Sequence, residues 1–170
     1  LKSARQAELP SVSDEKIMKL CGEYGAWVNT MCNPPNGKGN YRNKKQGSQA
    51  MTWVGMFQKQ FLGFPREDPF LVKASEVSVP LVPKVFTPAK GLRHLDEYEI
   101  YYGTLAAFQQ QGEFWKAWNP VMQRVLMDMQ HQGDPKSLGG SWDPSSKSVG
   151  SPGGRVMTTA IYALCLEVYY

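Results

Sequence analysis

Two similar stretches of sequence, one near each end of the chain, constrain its fold more than any other feature. In the later stretch, Gly140–Trp142 is followed by a loop rich in glycine, serine and proline, and then by Gly154–Thr159, which opens an apolar segment. In the earlier one, a glycine-punctuated loop ends at Tyr41, and Gly47–Thr52 again opens an apolar segment. A recurring unit of helix, glycine loop, aromatic residue and helix indicates a repeat architecture.

Length and composition place the chain among ordinary folded domains. It has 170 residues, of which 42% are hydrophobic and 20% charged, enough for one domain with a sizeable core. The net charge of +4 is spread along the sequence, and the one dense basic stretch lies in a predicted loop: Lys38, Arg42, Lys44 and Lys45. We interpret that stretch as a solvated loop, so no nucleic-acid partner is expected. No run approaches the ~20 apolar residues of a membrane span.

The cysteines give no sign of a disulfide framework or a zinc site. Their number is odd, their spacing is not CxxC, and Cys21, Cys32 and Cys165 all lie on predicted apolar helix faces. We expect small buried side chains, and no metal or cofactor. The chain starts at Leu1 and stops within a predicted helix at Tyr170, so we expect a fragment of a longer protein, with its compartment left open.

Hydrophobic periodicity and capping residues predict six helices after a polar lead-in at residues 1–12. Ser13 is the expected N-cap of the first helix, and Asp68 followed by Pro69 opens the third. Pro120 falls inside the fifth helix and is expected to kink or restart it. The final residues are compatible with a strand, but the 3.6-residue period favours a helix. The predicted helices cover about 13–31, 48–61, 69–77, 96–111, 113–130 and 156–170.

Because each predicted helical hairpin leaves one face apolar, neighbouring hairpins must stack to bury those faces. The two copies, matched at Thr52 and Thr159, are about 107 residues apart, roughly two hairpins. The expected fold is all-α, a partial α/α toroid forming an arc of about six helices in one repeat domain at residues 13–170.

At these residues the chain resembles the terpenoid cyclase and protein prenyltransferase superfamily of α/α toroids, and most of all bacterial proteins with prenyltransferase/squalene-cyclase repeats. That family joins a glutamine at a helix end to a Gly-x-Trp motif, which Gln130, Gly140 and Trp142 match; in the first copy Cys32 and Tyr41 take the glutamine and tryptophan places. The resemblance implies that these residues brace the repeat and carry no reaction. The matching stretches are Trp27–Tyr41, Met51–Gly63, Tyr101–Ala106, Gly112–Asn119, Gln130 with Gly140–Trp142, and Gly154–Tyr170.

The reactive groups of the resembled family are missing from this sequence. Its cyclases use an Asp-x-Asp-Asp acid, whereas the nearest acidic pair here, Asp96-Glu97, is expected to cap a helix. Its protein prenyltransferases hold zinc with Asp, Cys and His, whereas His94 and His131 are expected to be solvated. Cys21-Gly22-Glu23-Tyr24 lacks the glutamine that a Cys-Gly-Glu-Gln thioester requires. No catalytic residue is therefore assigned within this chain.

Aromatic side chains are the remaining functional signal. They either line a central cavity and bind apolar ligands by packing and cation–π attraction, or fill the interior between hairpins. The set consists of Trp53, Tyr98, Tyr101, Tyr102, Phe114, Trp115 and Trp118.

The expected function is a non-catalytic repeat module that binds a protein partner, an apolar ligand or the rest of its own chain. A binding role predicts an exposed aromatic or apolar patch of several hundred Å² on one face. The alternative is an enzyme related to terpenoid cyclases or prenyltransferases, acting on an isoprenoid lipid with catalytic residues outside this segment.

Overall fold

The chain is mostly helical, with one small sheet. The computed structural model describes residues 13–41, 47–87, 95–134, 136–144 and 150–169, and within them lie six helices of ten or more residues. The sheet has three antiparallel strands of two or three residues, which the sequence did not predict. Such short strands carry too few residues to show an alternating pattern. The predicted lead-in at residues 1–12, most of the basic stretch and His94 lie outside the described residues.

The first helix and the sheet form one continuous unit. Helix α1 spans Asp14–Met31, and the Oγ of Ser13 accepts a hydrogen bond from the amide of Lys16, as the capping pattern predicts. Strand β1 (Cys32–Asn33) follows directly, β2 (Lys38–Asn40) pairs with it, and β3 (Gly47–Ser48) pairs with β2.

Helix α2 (Gln49–Phe61) begins after Ser48, close to its predicted start, and α3 (Pro69–Ser78) begins at its predicted cap, Asp68. Beyond α3 the chain stays helical, with a 3₁₀ turn at Val79–Leu81 and the short helix α4 at Val82–Val85. Each proline there occupies an early position of its element, where a missing N–H costs no hydrogen bond.

Helix α5 spans Glu97–Gln110, with Asp96 as its N-cap. Helix α6 spans Gly112–Met129 and continues through Pro120, where a kink or restart was expected. Helix α7 spans Gly150–Leu166, begins earlier than predicted, and contains one non-helical residue, Gly154, with a φ of +65°. A positive φ is inexpensive for glycine, which explains its position at this break.

Helix α5 packs along α2 and along α7, and it also contacts α6. Helix α6 packs against α3 and α4 as well, while α1 lies beside α2. The core lies where these helices meet, and its largest fully buried side chains include Trp53, Trp118, Tyr162, Phe70, Phe114, Met56, Leu71 and Ile100. No helix in the described ranges is long and apolar enough to cross a membrane.

Candidate functional site

Three of the predicted binding aromatics fill the core instead of lining a surface. Trp53, Phe114 and Trp118 are fully buried, and the two indole rings meet edge to face with centroids 4.9 Å apart. Their polar atoms are satisfied inside the protein: Trp53 Nε1 donates to Ser78 Oγ and Trp118 Nε1 to Thr104 Oγ1, both at 3.0 Å. Of the two interpretations, the interior position is the observed one. The indole of Trp53 on α2 packs against that of Trp118 on α6.

Two more of the set, Tyr101 on α5 and Trp115 on α6, lie where these helices meet the end of α7. Tyr101 lines a shallow cavity of about 340 Å³ with Leu105, Phe108 and Leu164 among its walls. Trp115 is partly buried, with its ring centroid 5.3 Å from that of Phe108 and 5.7 Å from that of Tyr169. These contacts attach the turn after α7 to α6.

The remaining two, Tyr98 and Tyr102, lie at an apolar groove formed by described residues. The Tyr102 ring forms one wall, and Tyr98 packs behind it with a centroid separation of 4.7 Å. The groove has a volume of about 470 Å³, within the range of small-molecule sites. Helices α1, α2 and α5 supply its lining residues, which are Cys21, Tyr24, Phe57, Gln58, Phe61, Leu62 and Tyr102.

Aromatic rings dominate the walls of this groove. The Phe57 ring centroid lies 5.0 Å from that of Phe61 and 5.9 Å from that of Tyr102. Outside the groove, Trp27 stacks on Tyr24 at 5.7 Å with an interplanar angle of 17°. The apolar surface therefore continues from the groove over the Tyr24 wall onto the outer side of α1.

The groove and its rim leave large apolar side chains in contact with solvent. Exposed fractions are 50% for Trp27, 47% for Phe61, 40% for Leu20 and 39% for Tyr24. Burial, reinforced by the neighbouring Tyr102 phenol, raises the pKa of both Tyr24 and Tyr98 above the ordinary value of 10.0. Like any phenol, Tyr24 is neutral near pH 7, so it can donate a hydrogen bond at the otherwise apolar groove.

Sequence reasoning missed four wall residues of this groove. Cys21 and Tyr24 belong to a predicted apolar stripe on α1, and Phe57 and Phe61 to one on α2, but both stripes were assigned to the core. The α1 stripe, however, is wider than one neighbouring helix can cover: within it only Ile17 and Val28 are buried, whereas Leu20 and Trp27 are not. The width of this stripe was the feature of the sequence that could have indicated an exposed apolar surface on α1.

In the second copy of the repeat motif, hydrogen bonds hold the loop against the end of α6. Gln130 Nε2 donates to the carbonyl oxygen of Gly140 at 2.9 Å, and Trp142 Nε1 donates to the carbonyl oxygen of Leu126. The backbone N–H of Trp142 also donates to Thr159 Oγ1 at 3.2 Å, which links the loop to α7.

The first copy preserves the threonine contact but not the aromatic one. Gly39 N–H donates to Thr52 Oγ1 at 3.0 Å, as Trp142 N–H does to Thr159. Tyr41, in contrast, is 64% exposed whereas Trp142 is only 3% exposed, so it does not occupy the corresponding buried position. In the first copy, Gly39 makes the threonine contact that Trp142 makes in the second. No ring fits there, because β2 runs directly against α2 and a Cβ on Gly39 would lie 2.3 Å from the carbonyl oxygen of Met51.

A polar cluster beside Trp142 was also missed. His131, expected to be solvated and without partners, has its Nε2 3.0 Å from Asp143 Oδ2, and Arg155 pairs with the other carboxylate oxygen. Arg155 is hydrogen-bonded to Asp143 and, with the help of His131, lowers the pKa of that carboxyl below its ordinary 3.8. Since Arg155 Nη1 also donates to Ser141 Oγ, the cluster attaches the loop to α7.

The acidic pair at the start of α5 has two different roles. Asp96 caps the helix as predicted, because its Oδ1 accepts a hydrogen bond from the amide of Glu99. Glu97, expected to assist the cap, is fully buried and accepts a hydrogen bond from Thr158 Oγ1 of α7 at 3.0 Å. This contact joins α5 to α7.

Two of the three cysteines are buried, and their thiols are expected to be unreactive. Cys32 and Cys165 are buried, and burial raises the pKa of each thiol to about 12. Cys32 lies in β1 instead of on a helix, while Cys21 is partly exposed at the groove. Among the described residues, no group of three or more His, Cys, Asp or Glu side chains is placed to hold a metal ion.

The aromatic groove is therefore the best candidate site on this chain, and its chemistry is that of apolar recognition. Comparison with known proteins offers no further guide, because no family model, curated protein or solved structure matches the chain.

Proposed function

We propose that this chain is a non-catalytic helical repeat module that binds apolar groups in the groove between α1, α2 and α5. The observation that carries the proposal is the groove itself, a concave aromatic surface of about 470 Å³ with half-exposed rings at its rim. Large apolar patches on a folded surface are typical of sites for ligands or partner proteins. The neutral Tyr24 phenol adds a hydrogen-bond donor that can orient what binds.

We also propose that the helices form an arc of an α/α toroid, as the sequence resemblance implies. Two features support this proposal. Helix α5 packs along both α2 and α7, neither of which is adjacent to it in the sequence, and the loop-to-threonine hydrogen bond recurs at Thr52 and Thr159. In such an arrangement the groove lies at one end of the arc, because α1 and α2 are the first two helices of the series.

The groove is best tested with an apolar fluorescent probe at low protein concentration. Anilinonaphthalene sulfonate should bind, and farnesol should displace it, because both place apolar groups against the rings. Phe61→Ser removes an exposed wall and should weaken binding about five- to thirtyfold, equivalent to roughly 1–2 kcal/mol of lost apolar burial. Val156→Ser, at a position that is 84% exposed on α7, is the matched control and should bind as wild type does.

Cys21 provides a second readout at the same site. It lines the groove, while Cys32 and Cys165 are buried, so iodoacetamide should modify Cys21 first and farnesol should slow that modification. Binding that is equally weakened by Phe61→Ser and Val156→Ser, with no protection of Cys21, would contradict the proposed function.

A further inference from the structure

Helix α1 carries an apolar seam with the spacing of a helix that pairs with another helix. Ile17, Leu20, Tyr24, Trp27 and Met31 follow one another at alternating intervals of three and four residues, which keeps them on one stripe. Ile17 is buried inside its own chain, but Leu20, Tyr24 and Trp27 remain between 39% and 50% exposed. Four turns of helix thus present a seam that the described part of the chain leaves largely uncovered.

We propose that a second copy of this chain covers the seam, pairing α1 with α1 about a two-fold axis. The inference rests on the proposed function, since it names the partner of the same apolar surface. A two-fold interface requires a self-complementary patch. Here the projecting Trp27 and the adjacent groove lie on the same face, separated by the Tyr24 ring that forms the groove wall.

The two helices pair antiparallel. Parallel pairing would bring Asp14 and Glu15 of both copies to the same end, together with the aligned helix dipoles. Antiparallel pairing separates these charges. A two-fold axis between residues 25 and 26 places Trp27 of each copy opposite Tyr24 of the other, and Leu20 opposite Met31, so all three exposed seam residues face the partner.

The available area matches a weak, reversible dimer. With about 150–250 Å² for each large side chain, the exposed parts of Leu20, Tyr24, Trp27 and Phe61 amount to roughly 400 Å² per copy. Over two copies these side chains amount to about 800 Å², which is below the size of stable specific interfaces and fits a weak, transient one. The expected dissociation constant is on the order of tens to hundreds of micromolar.

Sedimentation equilibrium of the whole chain from about 5 to 500 µM tests the proposal across that affinity range. Wild type should show a reversible monomer–dimer equilibrium. Leu20→Lys and Trp27→Lys should each raise the dissociation constant at least about thirtyfold, because each introduces a charge into the seam. Met18→Lys is the matched control: Met18 is 69% exposed, lies about half a turn around α1 from Trp27, and should leave the dimer unchanged.

Circular dichroism of each variant verifies that the helices are intact, which is expected because all three positions are at the surface. A wild type that stays monomeric throughout the range would overturn the inference, as would a dimer disrupted by Met18→Lys but not by Leu20→Lys. The probe assay separates this failure from that of the proposed function. A monomer that binds farnesol, with Cys21 protected, overturns the dimer and leaves the groove as a ligand site. A monomer that binds neither the fluorescent probe nor farnesol overturns both the dimer and the proposed function.

Discussion

The ring of Trp118 occupies the space in which a side chain at position 103 would begin. A Cβ built on Gly103 would lie 2.3 Å from Trp118 Cη2 and 2.9 Å from Trp53 Cε3. Non-bonded carbon atoms do not approach so closely, so the absence of a side chain on α5 is what allows the two indoles to meet beneath it. Gly103 therefore lets α5 approach the indole rings of α2 and α6 closely.

Gly103→Ala should accordingly destabilise the protein. Overpacking a core costs about 1–3 kcal/mol, which exceeds the gain of about 1 kcal/mol in helix propensity. Gly22→Ala on α1 is the matched control, because a Cβ there has no neighbour within 4 Å and only the propensity gain remains. Urea unfolding of both variants measures the difference, and equal stabilities would contradict the packing argument.

Thr52→Val should cost about 1–3 kcal/mol, because it removes the hydroxyl that accepts the buried N–H of Gly39 and leaves that donor unsatisfied. Thr52→Ser retains the hydroxyl and should recover most of this free energy. Thr159→Val removes the corresponding contact with Trp142 N–H, which is only part-buried, so a smaller loss of unfolding free energy is expected. If Thr52→Ser were as damaging as Thr52→Val, the hydrogen bond would not be the cause.

Thiol chemistry should distinguish the cysteines in the native protein. With pKa values of about 12, Cys32 and Cys165 have a negligible thiolate fraction at pH 8, and both are also shielded from reagents. Mass spectrometry after iodoacetamide treatment should find modification confined to Cys21, and all three sites should react in urea. Modification of Cys165 before Cys21 under native conditions would be inconsistent with this burial.

Asp143→Asn should alter the acid end of the stability profile. Because the folded-state pKa of Asp143 lies below the unfolded value of 3.8, its contribution is complete above that value and disappears as the pH falls through the folded pKa. The carboxylate side chain is 52% exposed, so solvent screening limits the contribution to less than about 1 kcal/mol. Urea unfolding from about pH 2 to 6 should show wild type and variant converging on acidification; a difference that widened would have the wrong sign.

Local interactions are what the sequence by itself determined. Helix starts at Ser13, Ser48, Asp68 and Asp96 were predictable because a cap bonds to an amide only two or three residues away. The hydrogen bond of Gln130 to the carbonyl oxygen of Gly140 is also local, because the two residues are ten positions apart. The mostly helical character of the fold followed from the periodicity of the apolar residues.

Tertiary packing decided which apolar stripes became core and which became surface. Periodicity shows that a face is apolar, but not which helix covers it, so Trp53 was predicted as a candidate ligand-binding residue although α6 covers it, while the α1 residues that form the groove were predicted as core. The pairs of Glu97 with Thr158 and of Gly103 with Trp118 depend on how α5 packs against α7 and α6. Contacts between separate helices depend on the close packing of whole elements, and the groove exists because α1, α2 and α5 meet without filling the space between them.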